Sequence, residues 1–208
     1  MNGSRDTYPA NSLIFIYKSQ NVLESQFSIY FMESDKDSCE RIFYELVTDG
    51  AILPTRAIES SENYTYFHAG LKTIHYNPKM NQLDDSSIKI CILHEEGHIR
   101  NQYRTVLFLI LLGIISIAII VVVQANLILK LVLVLSIILI SIWWYVLFDE
   151  YQSDLFAGRM LKEKFGVGKP SVLLEKTLKK LPSSRLSRIT HPSVKQRVKK
   201  IAVTVDQN

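Results

Sequence analysis

Between Thr105 and Phe148 the sequence runs almost without charge, and this stretch limits the available folds more than anything else in the chain. Residues 105–123, TVLFLILLGIISIAIIVVV, and 127–148, LILKLVLVLSIILISIWWYVLF, are each about long enough to cross a hydrocarbon core. Apolar runs of that length are rare in soluble folds. The single charge, Lys130, stands near the start of the second run, where its long stem can carry the ammonium to the interface. Trp143, Trp144 and Tyr145 near the other end suit an interfacial aromatic belt. The connector around Gln124, Ala125 and Asn126 has room only for a tight turn, so the two runs form a hairpin.

Charge gives the hairpin an orientation. Arg100 and Arg104 precede it and Arg159, Lys162 and Lys164 follow it, whereas the connecting loop offers only Lys130. Cytoplasmic loops carry the excess of Lys and Arg. The expectation is therefore a multi-pass protein of the cell inner membrane with two spans, its N- and C-terminal segments both cytoplasmic. The opening stretch MNGSRDTYPANSLIFIYKSQ has no uninterrupted apolar core followed by a small-residue cleavage site, so no signal peptide is expected. The net charge of +4 comes from basic residues interleaved with acids, without a basic stripe, which argues against nucleic acid and for the bilayer as partner. Cys39 and Cys91 have no spacing that suggests a disulfide framework and fit a reducing compartment. Cys91 lies three residues before His94 and so enters as a possible thiolate ligand, but a small buried helical thiol is the reading adopted.

Immediately before the hairpin stands His94-Glu95-Glu96-Gly97-His98, an H-E-x-x-H arrangement. On a helix, residues four apart share a face, so both imidazoles can meet one ion. Glu95 is turned aside from them, toward water on that ion. Asp84, Asp85 or Ser86 can cap such a helix, and Ile88, Ile90, Ile92 and Leu93 supply its apolar cover. Gly97 is a poor helix former that permits a close approach of backbone or substrate. His68 and His75 lack this spacing and read as strand or surface residues. A zinc site needs a third protein ligand and an open fourth position. Directly after the hairpin, Glu150 and Asp154 are four apart on a continuing helix; one can bind metal while the other orients a histidine from behind. Asp149 is a rival ligand without a partner four residues on. Two spans return the chain to the face it left, which lets the segments before 104 and after 148 meet.

His94-Glu95-x-x-His98, two apolar spans, Glu150-x-x-x-Asp154 and then THPSVKQRV at 190–198 together resemble the HtpX-type integral-membrane zinc metallopeptidases, gluzincins related to the CAAX prenyl proteases. The likeness covers roughly residues 68–200, with four separate elements in order. It implies one zinc ion per chain held by His94, His98 and Glu150, with Glu95 as catalytic base and Asp154 behind the ligands. It also implies His191 near the substrate carbonyl and Arg197 bracing the acids. Without the resemblance, His191 reads as structural, and Pro192 suits a first helical position. Two departures stand out. Such proteins usually carry two more spans before the catalytic part, where residues 1–84 here are polar, and Glu96 occupies a position where an apolar residue is common.

The expected fold class is α+β, a small zincin-like catalytic domain with an inserted two-helix transmembrane hairpin. Its parts are an N-terminal soluble α+β portion (1–84), an active-site helix (85–104), the hairpin (105–148) and a C-terminal helical portion (149–208). NSLIFIYKS, FSIYFM and NYTYFHAGLKTIHYN read as strands, the last closed by an Asn77-Pro78 turn. An exposed edge in that last segment would hold extended substrate, main chain to main chain. DSCERIFYELVTDG reads as an amphipathic helix with an Asp start and a Gly50 stop. SVLLEKTLKKL reads as another, its lysines toward the membrane surface. The function expected is zinc-dependent endopeptidase action on membrane or membrane-associated proteins. The alternative is a catalytically silent zinc-binding membrane protein with a chaperone-like or regulatory role; loss of cleavage with retention of zinc in Glu95→Gln separates the two. A metal-free membrane anchor is a third reading, which zinc analysis of the purified protein would exclude.

Overall fold

Asp37 begins the first described helix as the sequence suggests: its carboxylate accepts from the amides of Cys39 and Glu40, satisfying donors that a helix start leaves orphaned. Helix α1 (Ser38–Thr48) buries Cys39, Ile42, Phe43 and Leu46, the i, i+3, i+4, i+7 stripe of an amphipathic helix. Gly50 follows with φ 66°, a left-handed conformation in which a side chain would be strained. The computed structural model describes residues 37–124, 126–181 and 191–207. The expected strands NSLIFIYKS and FSIYFM lie outside the described residues.

Three short strands, β1 (Ala57–Ser60), β2 (Phe67–Ala69) and β3 (Thr73–Tyr76), form a sheet of order β1-β3-β2. β1 runs parallel to β3 and β2 antiparallel to it, so among the described residues β2 is an edge. Alternation along β3 buries Ile74 and Tyr76 and turns His75 outward. His75 faces His68 across the ladder and Tyr64 stacks on both rings, the surface role expected of these histidines. A 3₁₀ turn (Pro78–Gln82) with Asn77 as its cap then leads into the long helices.

Helix α2 (Asp85–Val122) begins at Asp84, whose side chain accepts from Ser87, and continues without a break through the first apolar run. Helix α3 (Leu127–Phe165), capped by Asn126, likewise continues from the second run into the residues that follow. No change of backbone conformation marks residues 104/105 or 148/149. Both helices are long and apolar enough to cross a membrane. Among the described residues of the two runs only Leu112 is buried, the rest of their large apolar side chains lying open or half-open to the surroundings. Phe108 stacks on Tyr145 with ring centroids 4.4 Å apart, and Thr105 bonds the Tyr145 hydroxyl at 2.8 Å. Lys130 donates to the Ile120 carbonyl at 2.8 Å, so the one charge in the hairpin serves the open C-terminal end of α2.

Helices α4 (Pro170–Lys180) and α5 (Val194–Ile201) complete the domain, with a π-helical turn (Ala202–Asp206) after α5. Their apolar faces (Leu174, Ile201, Val205) join Leu155 and Leu161 of α3 in one core with α1, the sheet and the start of α2. Two sequence expectations need correction. Pro192 is not the first residue of α5: Ser193 is the cap, in a reciprocal capping box with Gln196, and Pro192 precedes it. The α4 lysines do not all face the apolar run either, since Lys176 and Lys180 pair with Asp84 at the opposite end of the soluble stretch of α2. Residues 85–104 rise about 30 Å along that helix, which sets these lysines far from the hairpin.

Candidate metal centre

The two long helices cross where one has no side chain. A Cβ placed on Gly97 would lie 2.7 Å from the Ser153 Cα and 3.2 Å from its carbonyl oxygen, distances that side-chain carbons do not tolerate. The backbones therefore meet at Gly97 and Ser153, one residue from His98 on one helix and one from Asp154 on the other. The close approach that the sequence left open, backbone or substrate, is made by the backbone of α3.

This crossing faces the imidazoles with the acids. His94 and His98 bring their Nε2 atoms to 3.0 Å of each other, with ring planes at 87°. Glu150 stands against both, its Oε2 3.7 Å from His94 Nε2 and its Oε1 3.5 Å from His98 Nε2. Ligand atoms of His94, His98 and Glu150 all lie within 4.8 Å of one another. The far nitrogen of each imidazole meets another carboxylate: His98 Nδ1 lies 2.6 Å from Asp149 Oδ2, and His94 Nδ1 lies 2.9 Å from Asp154 Oδ1. The second contact is close but falls short of hydrogen-bond alignment, leaving His94 Nδ1 without a formed bond. Carboxylates behind histidines fix which nitrogen is left for a metal.

Arg197 closes the back of the cluster. Its guanidinium grips Asp154 with both arms, Nε to Oδ2 at 2.7 Å and Nη2 to Oδ1 at 2.6 Å, and its Nη1 stands 3.4 Å from Glu150 Oε2. His191 Nε2 lies 3.2 Å from Glu150 Oε1, on the exposed side. Glu95 lines the same cleft, an opening of about 700 Å³ bounded by β2, the middle of α2, α4 and the start of α5.

The electrostatics follow from three acids around so few cations. Burial opposes the charge on Glu150, yet hydrogen bonds from His191 and His98 hold its carboxyl well below the usual range. Burial likewise opposes the charge on Asp154, and Arg197 with His94 keeps it ionised. Burial lowers the His98 imidazolium, but Asp149 and Glu150 outweigh it and push the group up to about 10. His191 is raised by Glu150 against the effect of its burial. The field at the Nε2 pair therefore favours positive charge.

A metal ion suits these residues. Two imidazoles and one carboxylate are a three-ligand set that leaves a fourth position open. Glu150 Oε2 is buried without a hydrogen-bond partner, an acceptor that a cation would satisfy. Cys91 also borders the cleft, but burial pushes its thiol up to about 12, away from the thiolate that binds metal.

The family model for peptidase family M48 matches residues 37–205, most of the chain. The chain belongs to peptidase family M48. No curated protein and no solved structure matches it. Membership makes this M48 chain a relative of metallopeptidases, and every residue of the cluster lies inside the matched segment.

Six of the seven residues singled out in the sequence, Glu95 among them, line one cleft, and Asp154 is buried behind it against His94 and Arg197. Asp149 is the residue whose part was missed. It carries no motif of its own, and only the rotation of α3 about the Gly97 crossing turns it to His98. Its position beside Glu150, on the same first turn after the apolar run, was the available signal. Glu96 is the other surprise. Fully buried, it is held by Arg56 Nε at 2.9 Å and Arg100 Nε at 2.7 Å, so an acid replaces apolar packing with a three-member ion network behind the metal helix.

Proposed function

We propose that the chain is a membrane-embedded zinc endopeptidase that hydrolyses peptide bonds of membrane or membrane-associated proteins at a cytoplasm-facing cleft. The observation that carries this reading is the convergence of His94 Nε2, His98 Nε2 and a Glu150 carboxylate oxygen within 4.8 Å, in a cleft that Glu95 also lines. His94, His98 and Glu150 would hold the ion, Asp149 and Asp154 would orient the imidazoles, and Arg197 would keep Asp154 and Glu150 in place. Zinc bound there supplies a Lewis acid that polarises a carbonyl and lowers the pKa of water.

Glu95 would accept the proton of the attacking water and pass it to the leaving amine, a role suited to a carboxylate that lines the cleft. His191, turned toward Glu150 from the open side, donates a hydrogen bond to the oxygen that gains charge; such a donor is typically worth about 3 kcal/mol. Among the described strands β2 is at the edge, and Tyr66, Phe67, His68 and Ala69 line the cleft, so an extended peptide can add there by main-chain hydrogen bonds. The charge balance around the hairpin supports cytoplasmic exposure of the soluble parts.

Three measurements test the reading. Purified protein is expected to contain stoichiometric zinc and to cleave an unfolded membrane protein or casein. Glu95→Gln keeps the zinc and loses the cleavage, and Glu150→Ala loses both. Protein that binds no zinc, or a Glu95→Gln variant as active as the parent, would overturn the assignment.

A further inference from the structure

The sheet has two ends, and they sit at different heights along α2. At one end Tyr76 bonds Asp37 and the 3₁₀ turn leads into the Asp84 cap, far from the apolar run. At the other end lie two turns, Gly70-Leu71-Lys72 between β2 and β3 and residues 52–56 before β1. The ladder puts them side by side: Ala57 pairs with Thr73 and donates its amide to the Lys72 carbonyl. Both turns are tied to the last helical turns of α2 before its apolar stretch. Gln102 Nε2 donates to the Gly70 carbonyl at 2.5 Å, and Arg100 Nη2 donates to the Ala51 carbonyl at 3.3 Å. Gln102 precedes Thr105 by three residues, so the hairpin tip stands only about 5 Å above the start of the apolar run.

The tip carries the wrong side chain for water. Leu71 is 81% exposed, and Leu53 on the neighbouring turn is 45% exposed. Lys72 on the same turn as Leu71, and Tyr103 and Arg104 on the turn of α2 that follows Gln102, are all exposed and supply cationic and aromatic groups that suit lipid headgroups. Single exposed leucines need no explanation, but two at one sheet end, level with the entry of a helix pair into its apolar stretch, form a surface continuous with that stretch.

We propose that this end of the sheet rests in the lipid interface, with Leu71 and Leu53 seated among the headgroups and upper acyl chains. The proposal rests on the reading that the α2–α3 hairpin spans a bilayer, and it adds a third point of contact that fixes the attitude of the soluble domain. The cleft reaches down to Gln102 and Thr105, and its edge strand β2 rises from the seated tip. A polypeptide leaving the bilayer therefore meets the site-bearing cleft at the lipid surface and runs along β2 toward His94.

The test uses the full chain in phosphatidylcholine–phosphatidylglycerol vesicles, with an environment-sensitive fluorophore on one introduced cysteine. Leu71→Cys reports the tip, Lys79→Cys the opposite end of the sheet and Ile117→Cys the middle of the first apolar run; the parent chain gives the background from Cys39 and Cys91. All three substituted residues are exposed, so the fold should tolerate them, which far-UV circular dichroism checks. Nitroxide-labelled lipids of shallow and deep probe position act as quenchers. The expected result is a blue-shifted Leu71→Cys label quenched by the shallow nitroxide roughly twofold or more over Lys79→Cys, and a Ile117→Cys label quenched by the deep one. A Leu71→Cys label no more quenched than Lys79→Cys, with Ile117→Cys deeply quenched, overturns the seat and leaves the span standing. If Ile117→Cys is also unquenched, the spanning reading falls and takes the seat with it.

Discussion

Asp149 illustrates what a single side chain adds that spacing cannot reveal. His94 and His98 were legible because a helix puts i and i+4 on one face, and Glu150 with Asp154 by the same rule. That rule says nothing about which acid turns to which imidazole, because this depends on the rotation of α3 against α2. The structure divides the work: Asp149 meets His98, Asp154 meets His94, and Glu150 is left facing the Nε2 pair. Asp149→Asn keeps the shape and removes the charge behind His98. It is expected to weaken zinc binding about 10- to 100-fold, read by competition with a chromophoric chelator, while Glu95→Gln leaves that affinity nearly unchanged. Equal affinities for parent and Asp149→Asn would show that the contact orients nothing.

The elements were largely readable, because their caps and apolar periods agree locally: Asp37 starts a helix as expected, Asp84 starts another as one of three candidate caps, and Gly50 ends one. What could not be read was the contact between elements. Gly97 has no neighbour in the sequence that explains it; its neighbour is Ser153 on the other long helix. Gly97→Ala should force the crossing apart at a cost of about 1–3 kcal/mol, seen as a lower Tm together with reduced metal retention. The start of α2 gives a pH-dependent case. Lys180 and the Ser87 amide hold the Asp84 carboxyl well below the usual carboxylate range, against a smaller opposing effect of burial. A depressed native pKa stabilises the fold above the unfolded value near 3.9, and that gain is lost as pH falls through the native pKa. Asp84→Ala is therefore expected to cost about 1 kcal/mol at neutral pH, with a difference from the parent that shrinks in urea titrations below about pH 4.

At the scale of the whole molecule the hairpin was legible in the sequence, but not that the packed core lies entirely outside it. The α2–α3 crossing at Gly97 and the core lie on one side of residues 104 and 149, the cleft reaches Thr105 at that level, and there the Thr105–Tyr145 hydrogen bond and the Phe108–Tyr145 stack tie the apolar helices together. Replacing residues 105–148 with a short flexible linker is expected to give a domain that still takes up zinc and cleaves a soluble peptide. Such a domain should lose most of its action on a substrate embedded in vesicles, compared by cleavage of the two in parallel. A domain that cannot take up metal would show that the hairpin is needed to hold the helices in register. The continuity of α2 and α3 has a further consequence for how the protein is made. His94, His98 and Glu95 leave the ribosome on the first long helix, and the carboxylates that face the imidazoles, Asp149, Glu150 and Asp154, follow on the second, beyond the connecting turn. A chain halted in that turn holds the imidazoles without the third ligand, Glu150. On the proposed function, competence arrives only once both halves of the hairpin have been synthesised and folded back, so the nascent chain is not yet a peptidase while its first span is being inserted.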